Sequence, residues 1–65
     1  MFIELITNKG EALTFNARNI VLIVPERKGT MIVDVNGMDW HISESYENLK
    51  GVLQALDSDK NYKLV

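Results

Sequence analysis

His41 is the only histidine in this sequence and the side chain whose ordinary pKa lies nearest neutrality, so proton chemistry is sought there first. A general base works through a hydrogen-bonded network, and His41 has no partner close by in sequence. It reads as a solvent-facing or pH-sensitive interface histidine. Asp34 and Asp39 flank Asn36-Gly37 and form the nearest thing to a carboxylate pair. They suggest a weak cation site or a contact for a partner's arginine. Hard cations gather more oxygen ligands than two carboxylates supply, so both read as side chains splayed into water. Ser43 and Ser45 stand just before a helical pattern, where serine caps a helix rather than acting as a nucleophile. Gly10, Gly29 and Gly37 all fall at turns, and none opens a helix as a phosphate-binding loop does. With no cysteine and one histidine, little is left for zinc or copper. The expectation is a protein without catalytic residues, metal or cofactor.

The charges point the same way. Seven basic and nine acidic residues give a net charge of −2, with both signs scattered. Lys9, Arg18, Arg27 and Lys28 are the loop positions that could meet a nucleic acid. A nucleic-acid binder ordinarily carries a basic excess on one face, so that partner is not expected. Arg27-Lys28 is the only adjacent basic pair and reads as a solvated hairpin tip.

The elements that position these residues are legible from alternation and turn chemistry. Phe2 to Thr7 and Glu11 to Asn16 alternate, and Asn8-Lys9-Gly10 suits a three-residue hairpin loop with Gly10 left-handed. Leu5 then faces Leu13, and Ile3 faces Phe15. Ile20 to Val24 is a continuous apolar run ending at Pro25, the pattern of a strand buried on both faces. Pro25 belongs at a strand end or an edge. A three-residue loop Arg27-Lys28-Gly29 pairs Ile23 with Val33 and Val21 with Val35. Asn36-Gly37 reads as a two-residue hairpin, which sets Val35 against Met38, Val33 against Trp40 and Met31 against Ile42. Asp34 and Asp39 then stand opposite each other.

Ser45 is the expected N-cap of a helix over Tyr46 to Leu56, with Glu47 at its positive end. Tyr46, Leu49, Val52, Leu53 and Leu56 form its apolar stripe. Gly51 weakens the helix and suggests close packing on the sheet. Residues 57–65 read as a tail that frays or adds an edge strand.

The expected architecture is therefore α+β: one domain over residues 1–56, β-β-β-β-β-α. Its five-stranded antiparallel sheet is strongly curled and carries one C-terminal helix. The expected core is Ile3, Leu5, Leu13, Phe15, Val21, Ile23, Met31, Val33, Val35, Trp40, Ile42, Leu49, Val52, Leu53 and Leu56.

These registers leave Phe2, Ile6, Leu22, Val24 and Ile32 on the far face, with His41 beside Ile32. One helix covers one face of a sheet, so either the sheet curls and takes some of these residues into its interior, or the face packs against another copy or a partner, as larger exposed apolar patches usually do. A homo-oligomer is expected, with a two-fold dimer as the first form. No segment approaches the roughly 20 apolar residues of a membrane span, and the N-terminus lacks the pattern of a signal peptide. Together with the missing cysteines, this suggests a cytoplasmic setting.

Ile3-Glu4-Leu5, Gly10, Phe15-Asn16, Ile20, Thr30, Ile32, Asn36-Gly37 and Ser43-Glu44-Ser45-Tyr46 together resemble the FlbD-like proteins. These are small bacterial and phage chains, some associated with flagellar and swarming motility. The resemblance runs over residues 2–56 and leaves Val24-Pro25-Glu26-Arg27 and residues 57–65 unmatched. It implies a short sheet-forming chain that closes on a helix, and it carries over no catalytic residue. The functional expectation is a small non-enzymatic interaction or regulatory module that self-associates and binds a protein partner. A nucleic-acid-binding regulator and a phage-type oligomer that sequesters a small ligand stand as alternatives.

Overall fold

The computed structural model describes residues 1–56. The expected edge strand in the tail lies outside the described residues. The chain runs β1 (Phe2–Ile6), β2 (Ala12–Asn16), a 3-10 turn (Ala17–Asn19), β3 (Ile20–Glu26), β4 (Gly29–Asp34), β5 (Asp39–Ile42) and α1 (Tyr46–Leu56). This is the α+β order expected, with antiparallel strands and the helix last. The strands form two sheets rather than one strongly curled one: β1-β2, and β3-β4-β5. A bridge between Thr7 and Ile42 joins them, helped by bonds from the Asn8 N–H to the His41 carbonyl and from the Ser43 N–H to the Ile6 carbonyl.

The first hairpin has the expected register, with Ile3 opposite Phe15 and Leu5 opposite Leu13. Its loop is built on Thr7. The Thr7 carbonyl accepts from the Gly10 N–H at 2.9 Å, and Thr7 Oγ1 accepts from the N–H groups of Lys9 and Glu11, each at 3.2 Å. Gly10 takes the left-handed conformation at φ +86°.

The β4-β5 loop repeats this bonding. Asp34 replaces Thr7: its carbonyl accepts from the Gly37 N–H, and Oδ1 accepts from the N–H groups of Asn36 and Met38 at 2.9 and 3.0 Å. The loop therefore holds three residues, Val35-Asn36-Gly37, and not the two expected from Asn36-Gly37. Between β3 and β4 the correction runs the other way. Glu26 pairs with Gly29, so the turn holds two residues, Arg27-Lys28, instead of three. Gly29 serves a close approach: a Cβ there would lie 2.1 Å from the Ile42 carbonyl oxygen.

Each loop differs from expectation by one residue, in opposite senses. The faces of β3 and β5 consequently stay as expected around Ile23 and Ile42, while β4 between them is turned over, because a one-residue slip exchanges the faces of a strand. Ile32 now pairs with Ile23 and Trp40. Met31 and Val33, expected in the core, lie on the outer face and are half-buried. Val35 is exposed in the loop. Thr30 is buried opposite Ile42, where its Oγ1 donates to the Glu44 carbonyl at 2.9 Å.

The β3 run is not buried on both faces as its composition suggested. A bulge between Ile20 and Leu22 puts Val21 outside the ladder, 61% exposed. It lets Ile20 and Ile23 both turn inward, a spacing of three that simple alternation forbids. Pro25 lies on an edge strand, the place where its missing N–H is tolerated.

The core joins Leu5, Ile23, Ile32, Ile42, Leu49 and Leu53, with Ile3, Phe15, Ala17, Ile20, Trp40 and Tyr46 packed around them. Phe15 and Trp40 meet edge to face, their ring centroids 5.5 Å apart. Ser45 caps α1 as expected: its Oγ accepts from the Asn48 N–H at 3.2 Å. Leu49 and Leu53 are buried, whereas Val52 of the expected stripe is exposed. A Cβ on Gly51 would meet nothing, so this glycine does not serve close packing.

Candidate functional site

The outer face of β3-β4-β5 follows from the registers. Leu22 stands opposite Val33, and Val24 opposite Met31. These four side chains point away from the layer that contains Leu49 and Leu53 of α1. Leu22 is 44% exposed, and the other three are half-buried. Beside this apolar quartet stand Glu26 at the end of β3 and Asp39 and His41 on β5.

Glu26 and His41 are brought together across β4. His41 pairs with Met31 and Met31 with Val24, while Glu26 lies two residues beyond Val24 on the same face. His41 Nδ1 reaches the two Glu26 carboxylate oxygens at 3.0 and 3.1 Å. The hydrogen bond to Glu26 and the negative charge of Glu26 raise the His41 pKa above the ordinary histidine value. Partial desolvation opposes this, and Asp39 adds a smaller push upward. The expected lone histidine thus has a carboxylate partner fifteen residues away, which sequence proximity did not reveal.

The candidate interface residues are divided between the two sheets and the core. Leu22, Val24 and His41 share the outer face of the three-stranded sheet. Phe2 and Ile6, both exposed, belong to β1 in the other sheet. Ile32 is corrected outright: it is fully buried in the core. Met31 and Val33 take its place on the outer face. The signal that finds them is the Thr7/Gly10 spacing recurring as Asp34/Gly37, since it implies two loops of equal length.

The loop cations are exposed but dispersed. Arg18 precedes β3 and Arg27-Lys28 follow it, so a seven-residue strand of about 20 Å separates them. Lys9 sits in the β1-β2 loop. Asp34 and Asp39 are not opposite one another: Asp39 faces Val33. The Asp34 carboxylate also accepts from Trp40 Nε1 at 3.2 Å. Desolvation raises the Asp34 pKa, but the N–H groups of Met38, Trp40 and Asn36 together outweigh it, so the value lies below the usual one. Ser43 Oγ donates to the Ile6 carbonyl at 3.0 Å.

Among the described residues, no cluster of three or more histidine, cysteine, aspartate or glutamate side chains has the geometry of a metal site. No helix among them is long and apolar enough to cross a membrane. Fold and surface define a small α+β domain with an uncovered apolar sheet face. No protein-family model, curated protein or solved structure matches the chain.

Proposed function

We propose that this chain is a small non-enzymatic binding module that pairs with a second copy of itself through the outer face of β3-β4-β5 and regulates a protein partner. The observation that carries this reading is the quartet Leu22, Val24, Met31 and Val33, turned outward on the face opposite α1. The surrounding charges favour a second copy as occupant. Glu26 and Asp39 stand beside His41, with Arg27 and Lys28 at the adjoining turn, so the face carries both signs and is complementary to itself. Polar side chains that suggested chemistry are engaged structurally: Asp34 holds a loop, Ser45 caps a helix and Ser43 ties the two sheets. The FlbD-like resemblance suggests a small bacterial regulator as the setting.

Sedimentation velocity and native mass spectrometry up to millimolar concentration test this reading. A discrete oligomer is expected, with Leu22→Asp monomeric and unchanged in circular dichroism. A wild-type chain that stays monomeric throughout overturns it. Extra bound mass on the oligomer favours the ligand-sequestering alternative.

A further inference from the structure

A stable two-fold interface buries about 800 Å² on each copy, roughly a sixth of this chain's 4622 Å². Leu22, Val24, Met31 and Val33 are already partly covered by their own sheet and cannot supply that area alone. A footprint centred on them must extend over the neighbouring Glu26, Asp39 and His41. We propose that His41 is a proton switch for self-association, with Glu26 and Asp39 setting the sense in which it acts. The proposal rests on the self-association reading above and adds its regulation.

The groups around His41 are specific. From β3, Glu26 contacts its ring; from β5, Asp39 lies two residues away on the same face; from β4, uncharged Met31 stands opposite. The β1-β2 loop gives the Asn8 N–H to the His41 carbonyl, and Lys9 follows in that loop. Arg27 and Lys28 occupy the turn beyond Glu26.

With His41 neutral, the strands under the footprint present two carboxylates, Glu26 and Asp39, while Arg27 and Lys28 stand at the turn beyond them, and a second copy brings two more carboxylates to the strand face. Like charges placed together oppose association. A proton on His41 cancels one negative charge per copy and turns Glu26 into the partner of an ion pair. A bare carboxylate is costlier to desolvate than one already bonded to a cation. Pairing therefore tightens as pH falls through the titration of His41.

Sedimentation equilibrium of the full chain from about pH 5.5 to about pH 8 reads this directly, alongside His41→Gln, Glu26→Gln and Leu22→Asp. The wild-type dissociation constant is expected to be about tenfold lower at the acidic end, and His41→Gln to be flat with pH. Melts of each variant at both pH values check folding. NMR titration of the unmodified protein's imidazole gives a second readout: its midpoint is expected to rise with protein concentration, as linkage requires. Association that does not change with pH, a pH dependence kept by His41→Gln, or a midpoint indifferent to concentration each overturns the switch while leaving self-association standing. Wild type as monomeric as Leu22→Asp at every pH overturns the self-association reading itself.

Discussion

Gly29 and Gly51 show how one residue type answers to opposite constraints. Gly29 has a φ of +109° and faces the Ile42 carbonyl, so Gly29→Ala combines backbone strain with a backbone clash. It is expected to cost about 3 kcal/mol in urea unfolding. Gly51 lies in mid-helix with open space around it, and Gly51→Ala is expected to stabilise by about 0.5–1 kcal/mol. Among the described residues, Asp34 and His41 have shifted pKa values, and they predict opposite pH trends. His41 is raised above 6.5, so its contribution is complete below that pH and is lost as pH rises through the folded value. Asp34 is lowered from 3.8, so its contribution is present above that pH and is lost as pH falls through its folded value. Thermal melts across pH are expected to show His41→Gln flattening only the alkaline limb and Asp34→Asn only the acidic one.

At the scale of elements, β4 is where sequence and structure part. The side chains Met31, Val33 and Val35 are together more apolar than Thr30, Ile32 and Asp34, so composition points the wrong face inward. The inward set is nevertheless stable because its polar members are bonded: Thr30 to the Glu44 carbonyl, Asp34 to Trp40 Nε1 and its own loop. Ile32→Ala is accordingly expected to cost about 3 kcal/mol in chemical denaturation, and Met31→Ala less than about 1 kcal/mol. Equal losses would restore the register in which Met31 is core. The β1-β2 hairpin and α1 were legible because each carries a local signal that settles it, Gly10 in one and Ser45 in the other. The β3-β4 turn was not, because Gly29 is fixed by Ile42, a residue far along the chain.

For the whole molecule, a chain of 65 residues sits near the lower limit of independent stability, and the self-association proposed above would add stability by mass action. The melting temperature of the wild type is expected to rise with protein concentration, and that of Leu22→Asp to be independent of it; differential scanning calorimetry over a hundredfold range, about 4.6 natural-log units of mass action, makes the comparison. The sequence by itself determined the α+β order, the first hairpin, the helix and its cap, and most of the inner residues of β3 and β5, because alternation, turn glycines and capping act over a few neighbours. Only the tertiary structure decided the division into two sheets, the face of β4, the bulge at Val21 and the meeting of Glu26 with His41. Those depend on which strands lie side by side and on backbone atoms distant in sequence, and a single residue more or less in a loop is enough to exchange the core face of a strand for its outer one.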